Sequence, residues 1–512
     1  MKSDRVVVIG AGVAGLVAAI DLSAQGLDVT VVERASGAGG KLRETAIGDI
    51  SLDTGPTVFT MRWVFDEILA ASGTSLEAEL TLQPAEVLAR HTWAPGERLD
   101  LFADVERSAD AIRALAGVDE ADRYRRFCKY AERTYRTLLP SFIRCAHPSL
   151  ASLVKGVGIA GLGDLWRIKP FATLWSELGA QFRDSRLRQL FGRYATYCGS
   201  SPFEAPATLM LIAHVEREGV WLVDGGMYRL AHALERVAKR NGVDFRYDAE
   251  AAEILVSNGR TSGITLKSGR PIYADSIVVN ADIGAIAGGL FGDEVTSAVT
   301  APARTTRSQS AVTWAMVAET DGCPLNRHNV FFSPDYRAEF DDVFTHARLP
   351  REPTVYVCAQ DRGGSSVRTD GPERLFCLVN APATGDRHHF DSGEIARCEE
   401  ATFRRLEQAG LKIRRTPHNT RIATPTTFER MFPATGGALY GRTTHGWSAS
   451  FARQRSRSRL PGLYLAGGGV HPGPGVPMAA LSGRMAAASL LADRASRPRF
   501  LRAATAGGTS TR

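Results

Sequence analysis

The chain opens with an unbroken apolar run, Val6-Val-Val-Ile9, that stops at Gly10. Leu16, Ala19, Ile20 and Leu22 then recur at helical spacing, and a second run, Val29-Thr-Val-Val32, follows Gly26. Short apolar runs bounded by glycine predict strands buried on both faces, and the spacing of three and four between them predicts a helix. Strand, helix, strand in this order is the start of a parallel α/β sheet.

The pattern then changes along the chain. Residues 61–104 mix helical spacing with strand-like pieces such as Glu97 to Phe102. From 105 to 215 the spacing is helical. Asp104 to Leu115 begins on an acid, and Arg123 to Leu139 is a basic stretch carrying Tyr124, Phe127, Tyr130 and Tyr135. Residues 149–178, with Trp166, Phe171 and Trp175 beside Lys155, Arg167 and Lys169, read two ways. They form a buried helix pair, or a face that meets lipid or lines a large apolar pocket.

Strands return after Val220-Trp-Leu-Val-Asp224, separated by the helix Tyr228 to Arg240. Val243 to Tyr247, Ala252 to Val256, Thr261 to Leu266 and Pro271 to Asn280 follow at short intervals. Asn258-Gly259 and Ser268-Gly269 between them are hairpin turns. Ala274 to Asp282 reads as a buried strand rejoining the first sheet. Gln309 to Ala318, Pro353 to Ala359 and Leu375 to Ala381 alternate in a second, sheet-based unit. Finally Gly462-Leu-Tyr-Leu-Ala-Gly467 runs into a glycine turn, with a helix from Met478 to Leu491. The expected layout is a nucleotide domain in three pieces, at 1–104, 216–304 and 431–494. A helical insertion spans 105–215, a sheet of a substrate domain 305–430, and a disordered basic tail 495–512.

The first turn carries the chemistry. Gly10-x-Gly12-x-x-Gly15 sits between strand and helix, where the first glycine allows a tight turn, the second lets a pyrophosphate approach and the third lets helix pack on strand. Phosphate meets the positive helix N-terminus. Glu33, at the end of the second strand, is placed for a ribose hydroxyl about 20 residues downstream. The motif alone does not separate one dinucleotide from another.

Composition narrows the class. With 512 residues, 44% hydrophobic and 23% charged, the chain is globular and long enough for several domains. Its net charge of +7 is spread out, which gives no nucleic-acid footprint and leaves attraction to an anionic membrane surface open. Seven cysteines without a Cys-x-x-Cys pair argue for a reducing compartment and against a metal site. The first strand begins at once, so no signal peptide is expected, and no apolar run approaches the ~20 residues of a membrane span. The expected location is cytoplasmic, peripheral to the inner membrane face.

Several stretches carry a resemblance. The N-terminal run through Gly39-Gly40-Lys41, the turn Asp53-x-Gly55-Pro56-Thr57, and Tyr464-Leu-Ala-Gly-Gly-Gly-Val-His-Pro-Gly-Pro-Gly-Val-Pro-Met478 resemble the flavin-dependent amine oxidase and phytoene desaturase superfamily. His328-Asn-Val-Phe-Phe332 and Val379-Asn-Ala-Pro382 are similar to the middle of bacterial carotenoid desaturases. Phe191 to Tyr197, Ala205 to Met210 and Gly219 to Gly226 resemble the branch of 1-hydroxycarotenoid 3,4-desaturases.

The resemblance implies an α/β fold: a Rossmann-like FAD-binding domain of the glutathione-reductase-like, amine oxidase type, with a sheet-based substrate domain and a helical membrane or substrate insertion. It implies FAD held by Gly10, Gly12, Val13, Ala14 and Gly15 at the pyrophosphate, and by Glu33 at the ribose. Gly40 and Lys41 would take further phosphate or ribose groups, and Ala251 the adenine. Gly55, Pro56 and Thr57 would lie on the flavin side. Gly468, Gly469, Val476, Pro477 and Met478 would close the site, the helix N-terminus facing the flavin edge that turns negative on reduction. Lys41 stands where the family commonly has Arg, so a bidentate contact is not expected. No cysteine follows Cys398, so the FAD should be non-covalent.

The implied reaction removes hydrogen from adjacent carbons of an acyclic carotenoid, most simply C-3 and C-4 of a 1-hydroxy carotenoid, with oxygen or a quinone as electron acceptor. The protein would supply an apolar tunnel, alignment and dryness. No acid–base pair is required. His214, Glu218 and Asp224 are weak candidate proton acceptors that read more readily as structural or surface groups. His471 is better placed, although hydrogen bonding within its loop explains it as well. The hydroxyl end would need a buried partner such as Ser, Thr, Tyr or Arg. Other readings are phytoene desaturation, an amine or protoporphyrinogen oxidase, and a flavin-free prenyl-lipid carrier.

Overall fold

The computed structural model describes residues 4–149, 169, 171–363 and 371–496. A five-stranded parallel sheet runs in the order Leu463–Leu465, Ser276–Val279, Arg5–Ile9, Asp28–Val32 and Asp244–Arg246. Its strands alternate between two cores. Val6, Val8, Val29, Val31 and Val278 pack on the helices Val13–Ala24, Tyr228–Arg240 and Val476–Ala495. Val7, Ile9, Val32, Ile277 and Val279 pack on the other side with Ile254, Ile264 and Leu266 of an antiparallel three-stranded sheet. Both faces are covered, which is why the strands are apolar throughout.

The two ends of the chain meet at close quarters. A Cβ on Gly483 would lie 2.3 Å from the carbonyl oxygen of Ala14, so the C-terminal helix can cross the first helix there only as glycine. That crossing sets the C-terminal glycine loop beside the N-terminal one.

A seven-stranded sheet forms the second layer, in the order Thr420–Ala423, Ser310–Ala318, Glu373–Ala381, Val355–Ala359, His328–Phe331, Val87–Ala94 and Glu97–Phe102. One face, with Val312, Trp314, Met316, Cys377 and Val379, packs with Phe403 and Leu406 of the helix Ser392–Gln408. The opposite face carries Thr313, Phe376, Leu378, Asn380 and Tyr356 to the wall of a cavity. Helices Val118–Leu138, Leu174–Gln181, Ser185–Gly192 and Leu211–Glu218 close the remaining side. Tyr124, Phe127, Leu178, Phe182 and Phe191 share their core with Phe332, Tyr336 and Phe340.

Three expectations shift. Val87–Ala94 and Glu97–Phe102, placed with the nucleotide segment 1–104, belong to the seven-stranded sheet, because Arg90 to Thr92 pair with Asn329 to Phe331. Val243 to Tyr247 is not part of a hairpin: Asp244–Arg246 runs parallel to Asp28–Val32 at the sheet edge. Pro271 to Asn280 divides into Pro271–Tyr273, an antiparallel strand, and Ser276–Val279, a parallel one. Of the stretch 149–178, Trp166 and most of its neighbours lie outside the described residues. Phe171 is 66% exposed and its ring meets that of Trp447, itself 43% exposed, at 5.3 Å.

Candidate active site

The parallel sheet ends in a glycine cradle built from three distant parts of the chain. Gly10, at φ +97°, leaves the first strand, and a Cβ there would come within 2.8 Å of the Asn280 carbonyl oxygen. A Cβ on Gly12 would meet Asn280 Oδ1 at 2.8 Å. Gly12 bridges to Gly39, whose N–H donates to the Ala11 carbonyl at 2.9 Å. A Cβ on Gly55 would strike the Lys41 carbonyl at 2.0 Å. These glycines keep a wall of bare backbone along one cavity of about 1430 Å³.

That cavity runs from the cradle to the cavity face of the seven-stranded sheet. Gly10, Gly12, Val13, Ala14, Glu33, Gly40, Lys41, Gly55, Pro56, Thr57 and Ala251 line it, as do Gly468, Gly469, Val476, Pro477 and Met478. Glu33 is buried, its Oε2 accepting from Ala11 N–H and its Oε1 from Ala35 N–H, both at 2.8 Å. Each oxygen keeps a second lone pair for a ribose hydroxyl. The Lys41 ammonium donates to the Leu439 carbonyl at 2.6 Å and lies 5.3 Å from the Phe432 ring centre. Burial pushes its pKa down, opposed by Asp282.

Gly15 differs from expectation. It is not on the cavity wall, its N–H donates to Asn280 Oδ1 at 3.0 Å, and a Cβ there would meet the Gly10 carbonyl at 2.1 Å. It shapes the cradle rather than touching what the cradle holds. Asp53 also serves the fold: its carboxylate accepts from Met227 N–H at 2.6 Å and Tyr228 N–H at 3.0 Å, capping the helix Tyr228–Arg240.

His471 stands off the cavity wall. Its Nε2 donates to the carbonyls of Phe142 at 3.1 Å and Cys145 at 2.9 Å, and burial lowers its pKa to about 4. The neutral ring pins residues 142–145 to the glycine loop. His214, Glu218 and Asp224 are not on the wall either: His214 lies between Arg217 and Glu218, and Asp224 is exposed.

The charged groups that do reach the cavity are others. Glu216, between His214 and Glu218 in sequence, accepts from Tyr194 Oη at 2.7 Å and Tyr197 Oη at 2.5 Å. Burial raises its pKa, partly offset by these two hydroxyls. Arg193 lies 5.3 Å from the Tyr197 ring centre and 5.4 Å from that of Tyr356. Tyr356 Oη is shared with Thr57 Oγ1 at 2.6 Å and His328 Nδ1 at 2.7 Å. Arg453, beside the C-terminal loop, donates through Nη2 to the Arg442 carbonyl and Thr444, while Nη1 has no partner among the described residues. Burial lowers its pKa to about 10.

A glycine cradle that side chains would fill, and a buried guanidinium whose Nη1 is left over among the described residues, fit a large anionic dinucleotide with a flavin ring. Helix N-termini at Val13 and Val476 face the same space. A cavity that continues past the cradle between the sheet and apolar side chains such as Leu138, Leu211 and Val215 suits oxidoreductases that hold such a cofactor against a buried substrate.

Sequence comparison makes the class specific. The chain belongs to the family of flavin containing amine oxidoreductases, whose model matches residues 13–491. It is a flavin-dependent oxidoreductase. Hydroxyneurosporene desaturase of Rubrivivax gelatinosus is 54% identical over 100% of this chain and 98% of its own. The 1-hydroxycarotenoid 3,4-desaturase of Flavobacterium sp. (strain P99-3) is 28% identical over 94% and 98%. An oxidoreductase from Methanosarcina mazei of solved structure shares the fold at a TM-score of 0.59 and 16% identity, over 94% of this chain and 99% of that one.

Proposed function

We propose that this enzyme desaturates an acyclic carotenoid, introducing the C-3,4 double bond of a 1-hydroxy carotenoid with non-covalent FAD. The observation that carries the reading is the single cavity of about 1430 Å³ joining the dinucleotide cradle to an apolar wall. It exceeds the few hundred to ~1000 Å³ of ordinary small-ligand pockets. The 54% identity to a hydroxyneurosporene desaturase supports the substrate class.

FAD, when bound, supplies a two-electron acceptor. Gly10 to Ala14, Glu33 and Ala251 would hold its nucleotide end, and Gly468 to Met478 with Arg453 its ring. Leu138, Phe142, Ile143, Leu211, Ile212 and Val215 on one side, and Phe376 and Leu378 on the other, give the polyene an apolar bed that excludes water. Glu216, held by two tyrosine hydroxyls, is the carboxylate on the wall best placed to take up the proton lost from the neighbouring carbon. The electron acceptor is oxygen or a quinone. No described helix is long and apolar enough to cross a membrane. The exposed Phe171–Trp447 pair gives the enzyme a place to touch a lipid surface from which the carotenoid is drawn.

Expression in a host that accumulates defined acyclic carotenoids tests the reading. A product with one further conjugated double bond, formed from a hydroxylated carotenoid, is expected. Unchanged pigments from hydroxylated and plain substrates alike would overturn it.

A further inference from the structure

The proposed reaction fixes where the hydroxyl must sit. A hydroxyl on C-1 is carried two carbon–carbon bonds from C-3, and C-1 to C-3 spans only about 2.5 Å at ~1.5 Å per bond. The group that recognises it therefore stands beside the reacting bond, next to the flavin loop, and not at a remote end of the tunnel. In an apolar cavity the hydroxyl needs a donor for its lone pairs and an acceptor for its proton.

Two side chains on the wall answer that description. Tyr440 precedes Gly441, where a Cβ would come within 2.9 Å of the Gly469 Cα, so it adjoins the C-terminal glycine loop. Its segment is fixed: Tyr440 N–H donates to Ser308 Oγ at 3.0 Å, Leu439 N–H to the Gln309 carbonyl at 3.2 Å, and the Leu439 carbonyl accepts from Lys41. The ring packs over Gly199, where a Cβ would lie 2.6 Å from Tyr440 Cδ2. Yet the hydroxyl has no hydrogen bond among the described residues. Arg193 also lines the cavity, and its one hydrogen bond is a long one, Nη1 to Tyr197 Oη at 3.4 Å. Its other N–H groups have no partner among the described residues. The two are drawn to one part of the wall, because Gly199, against which the Tyr440 ring packs, directly follows the turn Arg193–Cys198.

A guanidinium with N–H groups to spare and a phenol with no hydrogen bond among the described residues, both on the cavity wall, call for a polar ligand group. We propose that Arg193 and Tyr440 together bind the C-1 hydroxyl of the substrate, Arg193 donating to its oxygen and Tyr440 accepting its proton. They thereby select hydroxylated over plain acyclic carotenoids. A plain alkene terminus leaves both groups without a partner, which is how a polar site rejects an analogue lacking the hydroxyl. The inference rests on the desaturase reading above.

The test uses full-length holoenzyme with liposomes carrying either a 1-hydroxy acyclic carotenoid or the same carotenoid without the hydroxyl. The readout is the ratio of kcat/KM for the two. Tyr440→Phe removes a hydroxyl that has no hydrogen bond among the described residues, so flavin content and melting temperature should stay as in the wild type. The ratio should fall by roughly tenfold, the worth of one hydrogen bond. Arg193→Met, checked by the same flavin and melting measurements, should lower it at least as far. A ratio unchanged in Tyr440→Phe, or a wild type without preference, overturns the inference while leaving the desaturase reading intact. A wild type that converts neither substrate overturns both. A flavin spectrum altered in Tyr440→Phe, with both substrates slowed alike, assigns the hydroxyl to the cofactor and also overturns it.

Discussion

Replacing Asn280 by alanine removes one side chain that ties together three parts of the cradle. Gly12 is the N-cap of the helix Val13–Ala24 and has no side chain to cap with. Asn280 does this from another strand, its Oδ1 accepting the Gly15 N–H at 3.0 Å while its Nδ2 donates to the Ala466 carbonyl at 3.2 Å. Loss of an Asn cap costs about 1 kcal/mol, within a range of about 0.5–2, and the second hydrogen bond contributes about 1 more. Asn280→Ala should therefore lower unfolding stability by roughly 1.5–3 kcal/mol and weaken FAD binding. Urea denaturation and titration of apoprotein by flavin fluorescence measure the two effects.

Asn280→Asp separates them. A carboxylate still accepts from Gly15 N–H and is favoured at a helix N-terminus by about 0.3–1 kcal/mol. It has no proton to offer Ala466 and places a negative charge on the wall where a pyrophosphate would lie. Without flavin, Asn280→Asp should be the more stable of the two variants; with flavin, it should bind more weakly. An alanine variant within about 0.5 kcal/mol of wild type, the usual scatter of surface changes, would refute the capping argument. So would an aspartate variant that binds FAD more tightly than the alanine one.

Further outcomes follow from other sites. Glu339 is buried, accepting from Thr354 Oγ1 at 2.6 Å and Asn380 Nδ2 at 2.9 Å, and burial raises its pKa to about 7. The native state keeps a proton that the unfolded chain loses near pH 4.5, so this group's contribution to stability falls as pH rises from about 4.5 to 7. At about 1.4 kcal/mol per unit the loss is at most roughly 3.5 kcal/mol. Glu339→Gln should flatten that part of the profile in urea melts at pH 5 and 7.5. His471→Gln should keep desaturation within about tenfold, because a general base would be worth ~10²–10⁴; a larger loss in steady-state rate with flavin retained would return His471 to the chemistry. Phe171→Ser with Trp447→Ser should lower co-sedimentation with anionic liposomes several-fold, and equal binding would move the lipid contact elsewhere.

How much of this was legible in the sequence depends on whether the signal was local. Gly10, Gly12 and Glu33 announce themselves because strand, turn and helix are contiguous in the chain, although the atoms that exclude a Cβ at Gly10 and Gly12 belong to the distant Asn280. The C-terminal loop was legible for the same reason, as a glycine run between a strand and a helix opened by Pro477. Val87–Ala94 was misplaced because strand pairing is non-local: nothing in its own residues records that it will meet His328–Phe331. Asn280, Glu216, Arg193 and Tyr440 were missed as site residues by the same logic. Asn280 sits at the end of an apolar strand, and only the fold brings Gly15 and Ala466 to its two ends.

The proposed proton acceptor, Glu216, shows this at its sharpest. His214, Glu216 and Glu218 lie within five consecutive residues of one helix, and composition gives no reason to prefer the middle one. Successive helix positions are rotated by about 100°, so neighbours two apart face different ways. The helix Leu211–Glu218 packs on Val118–Leu138, which gives His214 its place against Tyr135 and leaves Glu218 at the surface. The same rotation carries Glu216 to the cavity, where Tyr194 and Tyr197 from the turn Arg193–Cys198 bind its two oxygens. The acid on the wall is thus chosen by which helix face the core buries. Arg193, at the start of that turn, is brought to the cavity with the tyrosines that hold Glu216. One local element therefore sets both the carboxylate and the guanidinium on the same cavity wall.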